Sequence, residues 1–556
     1  MHDVRHGRAP RAMRYLATAA ALLLVVAGCG PLERIGIGGG GDEETPSSSP
    51  ADGGTNAEGE ATPPLAEAGT SAAAELPEDP ATDPAYSAYY TQQVAWGPCD
   101  DSVDGPAALE CGTVTVPKIW NDPSAGDLQI AVTRLPATGE KQGSLLTNPG
   151  GPGGSGVDFV AGSAETLFSA EVRGAFDIVG FDPRGVSRSA GITCLDDAGT
   201  DAYRAETFDL SDPEGLQAAK DAFTELSAAC EEHSGDLLPY LDTYSAARDL
   251  DVLRSAVGSE KLDYVGYSYG TYLGATYAEM YPERTGRFVL DGALDPRLTA
   301  DDITRGQAEG FENATSAFVE SCLSQGSDGC PLTGSVEDGK EQLRAFFESV
   351  DAQPLRTDDP DRPLTGALAR SGLLVVLYND ENWPLGVQAL NAAMTGDGST
   401  LLFLADLSAD RDDDGTYSGN GTVAITAVNC LDHVGVADEQ WQIDEAAAVA
   451  EGFPTWGPGF GFSQTMCDLW PAQPVREPAP ISAAGSDLIV VIGTTGDPAT
   501  PYDWAVGLDE QLENSTLITY EGEGHTAYGR SGGCVEAAVD AYLLSGTAPE
   551  EGLTCS

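Results

Sequence analysis

From residue 113 onward the chain shows two kinds of apolar pattern. Short runs rich in Val, Ile, Leu, Phe and Tyr occupy residues 113–116, 128–134, 144–147, 176–181, 262–267, 287–291, 488–492 and 516–520. Some, such as Ile489-Val490-Val491-Ile492, are apolar at every position, which suits strands covered on both faces. Helical stretches fall between most of the later runs. Strands alternating with helices predict an α/β fold, with a mostly parallel eight-stranded sheet and helices on both faces. No internal repeat is visible.

The pattern changes between residues 296 and 482. Helical spacing recurs there over residues 306–323, 336–351, 365–379, 385–394, 400–409 and 444–452. The segment interrupts the strand series after the sixth strand. It is expected to be a mainly helical lid inserted into one domain, formed by residues 86–295 and 483–556. The chain is long enough for a large core.

Gly266-Tyr267-Ser268-Tyr269-Gly270 lies between the strand at 262–267 and a helical run starting at Thr271. This is G-x-S-x-G in a strand, turn, helix context, the arrangement that presents a serine nucleophile at the top of a sheet. Glycines on both sides permit the tight turn. With the serine after the fifth strand, an acid is expected after a later strand and a histidine after that, the order of an α/β-hydrolase.

The chain has five histidines. His2 and His6 fall in the N-terminal segment and His233 precedes the serine, leaving His433 and His525. His525 follows the strand at 516–520 in a glycine-rich loop, where a general base belongs. His433 lies in the lid and is the alternative. Asp497 follows the strand at 488–492 and is expected to orient His525; Asp291, at the end of the sixth strand, is its rival. For an oxyanion the donors expected are the N–H of Tyr269 and, from Asn148-Pro149-Gly150-Gly151-Pro152-Gly153-Gly154, that of Gly151, with Gly150 next. The loop lacks the Lys-Ser/Thr of a phosphate cradle and a dinucleotide spacing.

These segments, together with Phe176 to Gly185, Val289-Leu290-Asp291-Gly292 and the stretch from His525 to Cys534, resemble the secreted actinobacterial tripeptidyl aminopeptidases. The resemblance runs from about Trp96 to Cys555. It implies a serine exopeptidase that releases short peptides, tripeptides in the named family, from free N-termini. The wider group includes proline-iminopeptidase relatives and mycobacterial envelope hydrolases, so a carboxylesterase or lipase using the same triad is the alternative. An exopeptidase needs an acid for the substrate amine; Glu381 and Asp432 in the lid are the candidates. No cofactor is expected, and no metal site, since no C-x-x-C pair occurs. Spacing and the resemblance suggest the disulfides Cys99–Cys111, Cys194–Cys230, Cys322–Cys330, Cys430–Cys467 and Cys534–Cys555.

The N-terminus bears on location. Arg5, Arg8, Arg11 and Arg14 precede an apolar stretch too short to span a bilayer. It ends in Val26-Ala27-Gly28-Cys29, which resembles a lipobox. Residues 1–28 are thus expected to be a lipoprotein signal peptide, with Cys29 lipidated and the enzyme anchored to the outer face of the membrane. Setting Cys29 aside leaves ten of the eleven cysteines, an even number that suits an exported chain. Residues 29–85, rich in Gly, Ser, Pro and acids, read as a disordered tether. The net charge of −60 argues against nucleic acid as a partner.

Overall fold

The computed structural model describes residue 65 and residues 79–100, 102–326 and 329–556. The signal peptide, Cys29 and most of the tether lie outside these residues. Ten strands form one sheet: β1 (Gly97–Pro98), β2 (Glu110–Pro117), β3 (Asp127–Leu135), β4 (Gly143–Asn148), β5 (Phe176–Phe181), β6 (Leu262–Tyr267), β7 (Thr285–Asp291), β8 (Ile489–Gly496), β9 (Ser515–Glu523) and β10 (Thr554–Cys555). Their order is β1-β2-β3-β5-β4-β6-β7-β8-β9-β10. β1 to β3 pair antiparallel, and β3 pairs antiparallel with β5. From β5 through β4 to β10 every pairing is parallel. The eight expected strands are β2 to β9. The two additions are two residues each, too short to carry a period.

Side chains alternate between two cores. Tyr264, Phe288, Leu290 and Val491 face helices Thr243–Ala256, Tyr269–Met280 and Tyr502–Gln511. Val265, Val289, Val490 and Ile492 face helices Gly156–Leu167, Ala170–Ala175 and Cys534–Ser545. Both faces are covered, so the central strands are apolar throughout.

Eight helices intervene between β7 and β8: Ala300–Ser324, Val336–Ala352, Gly366–Leu377, Trp383–Met394, Ser399–Leu407, Gly421–Asp432, Glu439–Gly452 and Ser463–Cys467. Gly421–Asp432 and Ser463–Cys467 are additions to the helices expected from periodicity. Thr299 and Ser335 close capping boxes with Asp302 and Asp338, each satisfying first-turn N–H groups. Phe311, Phe318, Phe347, Leu373, Val376, Leu404 and Trp456 give this segment an apolar core of its own. The five disulfides join the pairs named above. Cys430–Cys467 fastens two lid helices. Among the described residues, no helix is long and apolar enough to cross a membrane.

One expectation needs correction. Residues 79–85 are ordered rather than part of a disordered tether. Asp79 caps a short helix and pairs with Arg284, and Tyr86 is buried against Trp120 with ring centroids 5.7 Å apart. Further back, Leu65 bridges to Val436 in the lid. The low apolar content before residue 85 concealed these few anchoring contacts.

Candidate active site

β6 delivers Ser268 into a sharp turn, with φ 55° and ψ −126°, and helix Tyr269–Met280 follows at once. Such a backbone costs a non-glycine residue about 1–3 kcal/mol, so the surroundings must enforce it. They do so through the main chain. The Ser268 N–H donates to the Asp291 carbonyl at 2.9 Å, and the Ser268 carbonyl accepts from the Thr271 N–H at 2.8 Å and Thr271 Oγ1 at 2.6 Å. The flanking glycines are required sterically. A Cβ on Gly266 would stand 2.3 Å from the Gly270 carbonyl oxygen, and one on Gly270 would stand 2.7 Å from that of Asn148.

β8 and β9 bring Asp497 and His525 together. His525 Nδ1 lies 2.9 Å from each Asp497 carboxylate oxygen. Asp497 is buried and accepts further bonds from the N–H groups of Ala499, Thr500 and Thr526 and from Thr500 Oγ1. This many donors pin the carboxylate in place. Because Nδ1 faces an acceptor, the proton rests there and Nε2 is left basic. Nε2 is buried and bonded to no other described group. The lid also touches this histidine. The Tyr378 carbonyl accepts the His525 N–H at 2.8 Å, and the Tyr378 ring stands edge-on to the imidazole, centroids 5.5 Å apart. Nothing in the pattern around Tyr378 pointed to this contact.

The loop after β4 lies against the nucleophile turn. A Cβ on Gly150, at φ +98°, would stand 2.6 Å from the Tyr267 carbonyl oxygen, 2.8 Å from Ser268 Cβ and 3.1 Å from the Tyr269 nitrogen. The Gly150 N–H donates to Asn148 Oδ1 at 3.0 Å. That bond commits the Gly150 N–H within its own loop, and the Tyr269 N–H lies in the first turn of its helix. The lid roofs this loop: a Cβ on Gly153 would stand 2.9 Å from Ala424 Cβ, on helix Gly421–Asp432. Exposed Ile425 sits beside that contact.

Other residues singled out from the sequence lie elsewhere. Asp432 is 3% exposed, and its oxygens accept from the Thr243 N–H at 2.9 Å and Thr243 Oγ1 at 2.6 Å. Burial, reinforced by Asp242, pushes its carboxyl up to about 8. It is closed off from an incoming amine, and the expectation that it faces the substrate is corrected accordingly. Its side chain ties the lid to Thr243, which in turn bonds the Tyr269 hydroxyl. Glu381 is exposed, three residues beyond Tyr378. His433 is buried against Tyr272, and burial holds its imidazole down to about 4. Asp291 is buried at the end of β7, bonded to the N–H groups of Ala527 and Tyr528.

This arrangement can support acyl transfer through a serine. The family model described as alpha/beta hydrolase fold matches residues 143–327, and that described as TAP-like protein matches residues 453–555. "Serine protease Hip1" of Mycobacterium tuberculosis is 37% identical over 479 residues, covering 84% of this chain and 91% of its own. The chain belongs to the TAP-like family of α/β-hydrolases. "Carboxylesterase B" of M. tuberculosis is 36% identical over 473 residues, covering 84% and 90%. "Tripeptidyl aminopeptidase" of Streptomyces coelicolor is 32% identical over 490 residues, covering 83% and 86%. The TAP-like match spans both Asp497 and His525, and the alpha/beta hydrolase match spans the Gly150 loop and Ser268. Assignment to the serine hydrolases follows.

Proposed function

We propose that the protein is an exported serine peptidase that removes short peptides, tripeptides foremost, from free N-termini. The observation that carries this is the His525–Asp497 pair beside the strained Ser268 turn, with Asp291 bonding the Ser268 N–H through its carbonyl and the Ala527 and Tyr528 N–H groups through its carboxylate. Relatives named as a serine protease and a tripeptidyl aminopeptidase support the substrate class.

In this reading His525 Nε2 takes the Ser268 hydroxyl proton as Oγ attacks the peptide carbonyl. The oxyanion is held by the N–H groups of Tyr269 and Gly151. His525 then gives the proton to the leaving amine, and water, activated by the same nitrogen, releases the acyl fragment. Asp497 keeps the tautomer fixed and stabilises the imidazolium. Glu381, exposed near Tyr378, is the acid proposed for the substrate's ammonium group. The even cysteine count and the lipobox-like Cys29 support export and anchoring to the outer face of the membrane.

The test is mass spectrometry of peptides incubated with the mature chain, each offered free and N-acetylated, with Ser268→Ala as the blank. Release of fixed-length N-terminal fragments from the free peptides alone is expected. The second reading, an esterase, is favoured by the relative named carboxylesterase B. It would be adopted if Ser268 reacts with a fluorophosphonate while neither peptide set is cut. Loss of labelling by an alkyne fatty acid in Cys29→Ala cells would check the anchor.

A further inference from the structure

The Asp291 carboxyl is fully buried and takes no part in the chemistry above. A buried carboxylate persists where hydrogen bonds replace its lost hydration. Asp291 accepts the Ala527 N–H on both oxygens, at 3.0 and 2.9 Å, and the Tyr528 N–H at 2.7 Å. These residues come directly after His525 and Thr526. Thr526 is β-branched yet has φ 67°, an outlier for that residue type. Its own N–H donates to Asp497 at 3.2 Å.

Two carboxylates therefore grip four consecutive residues. Asp497 holds the His525 imidazole and the Thr526 N–H; Asp291 holds the N–H groups of Ala527 and Tyr528. The main chain of Asp291 is tied to the nucleophile, since its carbonyl accepts the Ser268 N–H. Gly292, next in line, passes against the imidazole. A Cβ there would stand 3.1 Å from His525 Cε1 and 3.0 Å from Thr526 Cγ2.

We propose that Asp291 is a positioning residue, which holds Thr526 in its left-handed conformation and so sets the imidazole of His525 against Ser268. The proposal rests on the triad reading above. Without this grip Thr526 would relax toward negative φ, and the rotation would swing the preceding imidazole out of place. Burial raises the Asp291 carboxyl to about 7, against the pull of the Ala527 and Tyr528 N–H groups, His525 and Arg530. Asn is therefore a modest change in charge. Its oxygen can keep the Oδ2 bonds to Ala527 and Tyr528, but its NH2 then points at the Ala527 N–H that Oδ1 now shares and pushes that segment away.

The experiment compares the mature chain, Asp291→Asn and Asp291→Asn/Thr526→Gly, with folding checked by circular dichroism. The readouts are the rate of fluorophosphonate labelling at Ser268 and the hydrolysis of a p-nitrophenyl ester. Asp291→Asn is expected to slow labelling and kcat by about tenfold or more, with KM changed less than about twofold. Glycine takes positive φ freely and needs no grip, so the double variant should recover most of the lost rate. A merely structural carboxylate would not be rescued at Thr526. Labelling of Asp291→Asn at the unaltered rate would overturn the proposal, as would a double variant no faster than the single. If Asp291→Asn does not fold, the double variant carries the test: folding with labelling restored supports the proposal, and an unfolded or inert double variant overturns it. An unaltered chain that did not label at all would bring down the triad reading and this proposal with it.

Discussion

Asp497→Asn is the sharpest probe of the site. Both carboxylate oxygens of Asp497 accept N–H donors. Oδ1 takes those of Ala499 and Thr500, Oδ2 takes that of Thr526, and both face His525 Nδ1 at 2.9 Å. An asparagine must therefore turn its NH2 toward at least one N–H. The less damaging choice puts NH2 in place of Oδ2, where the Thr500 hydroxyl can rotate to accept and only the Thr526 bond is lost. That NH2 then also faces Nδ1 of His525. There the NH2 competes with the remaining Oδ1, and where Nδ1 accepts from it the proton moves to Nε2, the tautomer that cannot act as a base. A wrong tautomer with intact geometry costs about 10³–10⁴ in kcat, or about 4–5.5 kcal/mol of transition-state stabilisation. The fold should lose one charge-assisted bond, about 1.5–3 kcal/mol. Steady-state hydrolysis of an ester and of a peptide, beside urea unfolding, separates the two effects. A variant that keeps more than about a tenth of kcat would refute the reasoning, as would a loss explained entirely by unfolding.

Gly150→Ala should place a methyl against Ser268 Cβ and the Tyr267 carbonyl and displace the loop. A fall in kcat of about 10²–10³, the effect of losing one oxyanion donor, with little change in KM is expected from initial-rate kinetics. The raised carboxyl of buried Asp432 has a consequence for stability. The native state binds that proton more tightly than the unfolded chain, so this group's contribution to stability is full below about pH 4 and is lost, by up to about 1.4 kcal/mol per unit, as pH rises toward 8. Asp432→Asn should flatten that slope, read as the urea midpoint at pH 5 and pH 8; parallel curves would refute it. Thermal stability should also depend on the ordered segment that starts at residue 79. Removing residues up to 91 should lower it by about 2 kcal/mol or more, through the loss of buried Tyr86 and Tyr89, measurable as a lower unfolding midpoint.

The parts of this protein legible from sequence are those that local chemistry dictates. A sheet covered on both faces demands unbroken apolar runs, and Ile489-Val490-Val491-Ile492 shows one. A turn as tight as that at Ser268 demands Gly266 and Gly270, because any Cβ there meets a carbonyl oxygen. A histidine after the last long strand stands out in a chain with so few. Helix Gly421–Asp432 was hidden because Thr422, Val423, Ile425 and Thr426 are β-branched and weak helix formers; packing on the Gly153 loop stabilises it instead. The order at Asp79 and Tyr86 was hidden because it rests on contacts with Arg284 and Trp120, far away in the chain.

By itself, then, the sequence determined the strand series, the order of serine, acid and histidine, and the place of the helical insertion, since each is written in the spacing of neighbouring residues. Only the tertiary structure decided what the carboxylates do. It set Asp497 against the imidazole, closed Asp432 onto Thr243, placed Asp291 under Ala527 and Tyr528, and brought Tyr378 from the lid to His525. These assignments depend on burial and on donors more than a hundred residues apart in several cases. An aspartate in so acidic a chain carries no local mark that tells a buried clamp from a solvated surface.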